Sequence, residues 1–146
     1  TSKRPDNARQ MWGERIAQAK SEGMSAMVGS TLKRWFDDDF RKNNPGIIQE
    51  IAEGISNTSV NGFCGCCEAI SHINTFDRLN EITCPTLIMV GERDHGTPPH
   101  MAESMKEKMP YAQFHKIPNA GHISNIEQPE IFNQYLMDFY KAHNFI

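Results

Sequence analysis

The sequence predicts an α/β fold in which a helical section, residues 6–74, leads into a strand–helix–strand–helix unit over residues 82–146. Three observations predict it. Apolar residues in the first half recur at spacings of three and four, the period of an amphipathic helix. From Ile82 the texture changes to a short apolar run, an amphipathic stretch and a second short strand candidate. The run, Pro85–Gly91, is apolar almost throughout, as expected of a strand buried on both faces of a parallel sheet.

Asp6 or Asn7 caps a first helix that buries Trp12, Ile16 and Ala19, and Gly23 stops it. A second helix covers Met24–Phe36, with Met27, Val28, Leu32 and Trp35 or Phe36 as its apolar stripe. Asn44 before Pro45 is a start signal, a cap residue followed by proline at the first helical position. Ile47, Ile48, Ile51 and Ile55 then repeat at helical spacing, and a fourth helix covers Gly62–Ile73. After the strand at Pro85–Gly91 come a helix over Pro99–Met109, a strand at Gln113–Ile117 and a helix over Glu130–His143. That order implies a parallel pair with a right-handed crossover. Two strands make a poor sheet, and one as apolar as Thr86–Val90 calls for neighbours on both sides. The chain therefore reads as part of a larger domain, with its boundary near residues 74–83.

Composition excludes several function classes. Hydrophobic residues at 38% and charged residues at 23% suit a soluble globular protein rather than a disordered tail. The net charge of −3 and the scattered basic residues argue against nucleic-acid binding. No apolar run approaches the roughly 18–20 residues of a membrane span, and the first ten residues do not read as a signal peptide. Three of the four cysteines, Cys64, Cys66 and Cys67, crowd one segment. Free thiols and a cytoplasmic location are the expectation.

Two segments carry chemistry. Gly91-Glu-Arg-Asp94-His-Gly-Thr-Pro98 follows the apolar strand, at the strand end where open α/β sheets place functional loops. Asp94 there serves either as a turn residue beside glycine and proline or as the acid that orients a catalytic imidazole. Pro118-Asn-Ala-Gly121-His122 follows the second strand, where Gly121 permits a tight turn that aims His122 outward. If the two strands are neighbours, acid and histidine come within hydrogen-bond reach without being near in sequence.

With these residues in view, the chain resembles the carboxyl-terminal half of an α/β-hydrolase. The resemblance rests on Cys84-Pro-Thr-Leu-Ile-Met-Val-Gly-Glu-Arg-Asp94, Thr97-Pro98-Pro99 and Ala120-Gly-His122. Finer features are similar to the 3-oxoadipate enol-lactonases: His122-Ile-Ser-Asn-Ile-Glu-Gln-Pro129, and Trp35-Phe36, Gly62–Cys67 and the Trp12–Gly23 helix in a cap region. The resemblance implies a small-molecule ester or lactone substrate, no metal and no organic cofactor. It makes Asp94 and His122 members of a serine–histidine–acid triad and Trp35 a wall of the substrate pocket. Residues 6–74 would be the helical cap and residues 82–146 the end of the hydrolase core.

The family's nucleophile elbow, Gly-x-Ser-x-Gly, is absent. Gly23-Met-Ser25 and Gly54-Ile-Ser56 begin the pattern, but their fifth residues are Met27 and Thr58. Loss of the nucleophile of such a triad costs about 10⁶ in turnover. The expectation is therefore a hydrolase whose serine lies in a missing amino-terminal half, with this chain alone inactive. A non-catalytic binding module pairing through its sheet edge is the alternative, as are a general esterase, a carbon–carbon hydrolase or a cofactor-free peroxidase on the same scaffold.

The remaining candidates read as structural. Cys64, Cys66 and Cys67 with His72 lack the spacing of a zinc site and are expected as small residues in helix packing. Asp37-Asp38-Asp39 reads as a solvated turn and helix-capping feature. Glu127 is accounted for by the dipole of the helix it opens, and His95, His100 and Arg93 read as surface residues.

Overall fold

The computed structural model describes Ser2 and residues 7–146; Asp6, one of two predicted cap residues, lies outside them. Helix α1 (Ala8–Glu22) has Asn7 at its N-cap position, without a side-chain bond to the helix. It buries Ala19 and half-buries Trp12 and Ile16. Gly23 ends it at φ +80°, a conformation costly for a residue with a Cβ. The chain leaves that turn as a 3-10 segment, Met24–Met27, so the helix predicted from Met24 begins only at Val28. A 3-10 segment is a common connector between helices.

Helix α2 (Val28–Trp35) is followed by a short helix that the periodicity did not reveal, α3 (Asp38–Asn43). The Asp37 carboxylate caps α3 by accepting the Asp39 N–H at 3.0 Å, so the acidic run does act as a capping feature. Helix α4 (Pro45–Ser56) has proline at its start as predicted. Asn44 stands at the N-cap position, but its side-chain amide donates backwards to the Phe40 carbonyl at 3.0 Å. Helix α5 (Val60–Ser71) starts two residues before the predicted Gly62, because the Ser59 hydroxyl accepts the Gly62 N–H at 3.3 Å. A 3-10 segment, Phe76–Glu81, then occupies the boundary region.

The second half follows the predicted order. Strand β1 (Leu87–Gly91) and strand β2 (Gln113–Ile117) form a parallel pair connected through helix α6 (Pro99–Lys108). A one-turn helix, α7 (Ser124–Glu127), precedes the last helix, α8 (Pro129–Ala142). His115 of β2 stacks on Tyr135 of α8, with centroids 3.9 Å apart, and joins strand to helix.

Among the described residues the sheet consists of β1 and β2 alone. Ile88 and Val90 are buried, whereas Leu87 and Met89 remain half-exposed, so β1 is not buried on both faces as predicted. Alternate residues of a strand point to opposite faces, and here only one face is fully covered. Two apolar clusters hold the chain together. Ala19, Met24, Met27, Leu32, Phe36 and Ile55 form one, with Ile123 and Ile126 packed on it from the far half of the sequence. Leu79, Ile88, Met109 and Ala112 form the other, beside the sheet. The first matters for function, because it anchors the loop after β2 to the helical section.

Candidate active site

Strand register brings the two chemistry-bearing loops together. Gly91 pairs with Ile117, so β1 and β2 end level with each other. The two exits are then tied by backbone bonds, Glu92 N–H to the Ile117 carbonyl at 2.9 Å and Arg93 N–H to the Ala120 carbonyl at 2.8 Å. A Cβ at Gly91 would run into the carbonyl oxygens of Ala120 and Gly121, so this strand end admits only glycine at that separation. Asp94 and His122 therefore meet although 28 residues apart: Nδ1–H of His122 donates to Oδ2 of Asp94 at 2.8 Å.

The acid is held from several directions. Its Oδ1 accepts the N–H groups of Gly96 and Thr97, both at 2.8 Å, and its Oδ2 accepts the Thr97 hydroxyl at 2.8 Å. The side chain is 4% exposed, against 35% for His122. Burial works against ionisation of Asp94, but the bonds from His122 and Thr97 outweigh it and hold the carboxyl below its ordinary range. An Asp94 ionised in this way fixes the imidazole with its proton on Nδ1. Among the described residues Nε2 has no hydrogen-bond partner and is available to a proton donor.

This pKa direction sets a pH dependence. The folded-state pKa lies below the ordinary 3.8, so the stabilisation from Asp94 is fully present above that value and lost as pH falls through and below it. Urea denaturation at a series of acidic pH values should show a shallower acid limb in Asp94→Asn than in the unsubstituted chain. Equal slopes would mean that the carboxylate is not preferentially ionised in the native state.

The histidine loop is fixed by the helical section. The carbonyl of Trp35, the last residue of α2, accepts the N–H of His122 at 2.8 Å and that of Ile123 at 3.3 Å. Gly121, read as permitting a tight turn, has no positive φ; Asn119, at φ 53°, is the residue of this loop in the left-handed region. Gly121 is needed for close approach instead. A Cβ there would meet the Trp35 carbonyl at 2.9 Å and the Glu127 carboxylate at 3.1 Å.

Glu127 does more than complement a helix dipole. It is 7% exposed, accepts the Asp37 N–H at 2.8 Å with one oxygen and accepts the Gly121 N–H with the other. One carboxylate thus joins the end of α2 to the residue before His122. Burial pushes its pKa up, against the pull of the two N–H bonds and of Arg93. Sequence reasoning missed this role because the Asp37 partner is 90 positions away. Thr97 was missed as well, although a hydroxyl three residues beyond an aspartate in a glycine-containing turn is a recognisable side-chain turn signal.

The other candidates fall as follows. Trp35 is half-buried and packs on the helical core; its backbone carbonyl is what touches the histidine loop. Arg93, read as a surface residue, is exposed and reaches Asp37 at 3.3 Å and the Asn119 side-chain carbonyl at 2.7 Å, bridging the two halves of the sequence. His95 and His100 are exposed. Cys67 is buried and Cys64 is half-buried against the first apolar cluster, as the packing expectation has it, whereas Cys66 is exposed. Burial pushes the Cys67 thiol up and disfavours its thiolate. A cleft of about 400 Å³ opens along β1, with Asp94, Thr97 and His122 at one end and Met89, Met101 and Met105 along its wall.

Residues 1–129 match the family model for the alpha/beta hydrolase fold. The chain belongs to that family. Within the family, 3-oxoadipate enol-lactonase 1 of Acinetobacter baylyi is 34% identical over 131 residues, 90% of this chain and 49% of the relative. The enol-lactonase from Burkholderia xenovorans superposes with a TM-score of 0.87 at 28% identity, over 90% of this chain and 50% of that one. A thermophilic esterase from Thermogutta terrifontis gives the same TM-score at 26% identity, over 95% and 52%. The α/β-hydrolase chain thus spans about half the length of the relatives it matches. Its helical section and β–α–β–α unit match the carboxyl-terminal portion of the fold, as the sequence predicts. No described helix is long and apolar enough to cross a membrane.

Proposed function

We propose that this chain supplies the acid and histidine of a serine-type ester or lactone hydrolase whose nucleophile lies outside it. The observation that carries the proposal is the 2.8 Å bond between Asp94 and His122 Nδ1, made at the level ends of two adjacent parallel strands. Nε2 of His122 removes the proton from the incoming serine hydroxyl and later returns it to the leaving oxygen. Asp94 keeps the imidazole oriented and stabilises its charged form. Thr97, Glu127 and the Trp35 carbonyl hold the pair in place. No step calls on a metal or an organic cofactor.

The serines of the two incomplete elbow motifs offer no substitute. Ser25 lies in the 3-10 segment after α1 and Ser56 ends α4, and neither is preceded by a strand. The nucleophile-bearing partner is a complementary half of the hydrolase core that pairs along the open edge of β1, beside the cleft containing His122. Residues 6–74 serve as the cap over the substrate, with Trp35 as a wall of its pocket, and free thiols suit a cytoplasmic setting. The enol-lactonase relatives favour a lactone or activated ester as substrate.

A fluorophosphonate probe applied to the chain together with co-purifying protein tests the reading. Labelling should fall on a serine of a Gly-x-Ser-x-Gly segment outside the 146 residues. Labelling of a serine within the chain would sink the two-part assignment.

A further inference from the structure

Helix α5 carries three thiols that the hydrolase mechanism does not use. Cys64 is half-buried, Cys66 is exposed and Cys67 is 2% exposed. Phe63 and Cys67, one turn apart, share the helix face that packs on α1. The Arg15 guanidinium of α1 lies 5.8 Å from the centre of the Phe63 ring, and its charge also acts on Cys67. Cys64 stands one turn before Cys67 and packs against the first apolar cluster. Cys66 stands on the solvent side of the helix, away from both.

The spacing Cys64-x-x-Cys67 sets two thiols on consecutive turns of one helix. The Cα atoms of such a pair lie about 5 Å apart, inside the roughly 4.4–6.8 Å range of disulfides. Their Cβ atoms lie about 5–6 Å apart, against about 3.5–4.5 Å in a disulfide, so the turn must tighten to close the bond.

Helix α5 is built to yield at this point. Gly62 and Gly65 both fall in its first two turns, where glycine weakens a helix relative to alanine. Neither has a positive φ. Nor does packing require them: a Cβ at Gly65 would meet nothing within 4 Å, and one at Gly62 only Ser59 at an ordinary 3.6 Å. What the glycines supply is backbone freedom around Cys64. A metal ion would need further ligands, and among the described residues no group of three Cys, His, Asp or Glu side chains gathers to hold one.

We propose that Cys64 and Cys67 form a redox-active dithiol that a small hydroperoxide closes to a disulfide within α5. Peroxide oxidises the half-buried Cys64 thiol to a sulfenic acid and is itself reduced to water. Cys67 then attacks that sulfur: the S–S bond forms, the S–O bond breaks, and the hydroxyl leaves with the Cys67 proton as a second water. Two thiols are oxidised and one peroxide is reduced. Burial pushes the Cys67 thiol up, which suits it to the second step rather than to the first encounter with oxidant. A dithiol reductant reverses the change, as expected of a transient disulfide in a reducing compartment. The proposal does not depend on the hydrolase reading.

The test treats the folded 146-residue chain with a small excess of hydrogen peroxide. Remaining thiols are blocked with iodoacetamide, the chain is reduced with dithiothreitol, and the released thiols are labelled with N-ethylmaleimide. Fragment spectra should place maleimide on Cys64 and Cys67 together, with Cys66 and Cys84 carrying the first label. Before reduction the same peptide should be two hydrogens lighter. Cys64→Ser and Cys67→Ser should each abolish the pair, and Cys66→Ser should leave it. Cys64 is the less buried partner, so its variant carries the test if Cys67→Ser fails to fold. The chain oxidised in urea gives the pairing that the fold does not direct. Maleimide chiefly on Cys66 or Cys84, the same distribution in urea as in the folded chain, or no reducible product at all overturns the dithiol. None of these results bears on the serine-labelling test, so the two readings fail separately.

Discussion

Mixed with a nucleophile-bearing half of the core, the chain should confer hydrolysis of an activated ester that His122→Ala lowers about 10⁶-fold. The chain alone should give none above buffer. The size of the effect follows from the division of labour: serine and histidine act as one unit, so removing either costs nearly as much as removing both. Asp94→Ala should cost less, about 10⁴-fold, because the imidazole remains but loses its tautomer and orientation. Stopped-flow or plate-based ester assays on the mixture and on each component separate these cases. Hydrolysis by the chain alone that disappears in His122→Ala would overturn the two-part mechanism.

Glu127→Ala should be the most destabilising substitution outside the apolar clusters, by about 2–4 kcal/mol. Two N–H donors, those of Asp37 and Gly121, lose their acceptor, and each unsatisfied buried donor costs about 1–3 kcal/mol. Relief of the buried carboxylate's own desolvation offsets part of the sum. Thermal unfolding should fall by roughly 5–10 °C for a chain of this length. Hydrogen exchange should locate the damage at Gly121, whose amide donates to Glu127, and at His122 and Ile123, whose amides donate to the Trp35 carbonyl at the end of α2. Glu127→Gln keeps the shape but turns an amide N–H₂ towards one of the two donors, so it should lose about half as much. A loss below about 0.5 kcal/mol in both variants, within the range of ordinary surface substitutions, would remove Glu127 from its connecting role.

Glu127 also has a pH signature opposite to that of Asp94. Its folded-state pKa is raised above the ordinary 4.5, so the native chain holds a proton that the unfolded chain has released. The contribution of Glu127 to stability therefore falls as pH rises through that window, whereas the Asp94 contribution is fully present above 3.8 and is lost as pH falls through and below it. One buried carboxylate is dominated by its hydrogen bonds and the other by its desolvation. The difference is one of partners: Asp94 has the imidazole and three further donors, while Glu127 has two amides and the repulsion of Asp37.

The α/β class, both strands and the order of elements were legible in the sequence because each rests on local pattern. Pro85–Gly91 is a short apolar segment bounded by turn residues and Gln113–Ile117 a short segment between an amphipathic stretch and a turn, and they are the strands observed within two residues. Asp94 and His122 were legible because each follows such a strand, and parallel pairing brings consecutive strand ends together. Short helix α3 and the two 3-10 segments were not, since six residues or fewer show too little periodicity.

Sequence by itself thus determined which residues stand at the strand ends and which chemistry an acid and a histidine there can do. Tertiary structure alone decided how they are held. The Trp35 carbonyl on the His122 and Ile123 amides and the Glu127 carboxylate between Asp37 and Gly121 both join residues distant in sequence. Such contacts leave no periodic trace. They follow from the packing of Ile123 and Ile126 onto the helical core, which fixes one half of the chain against the other.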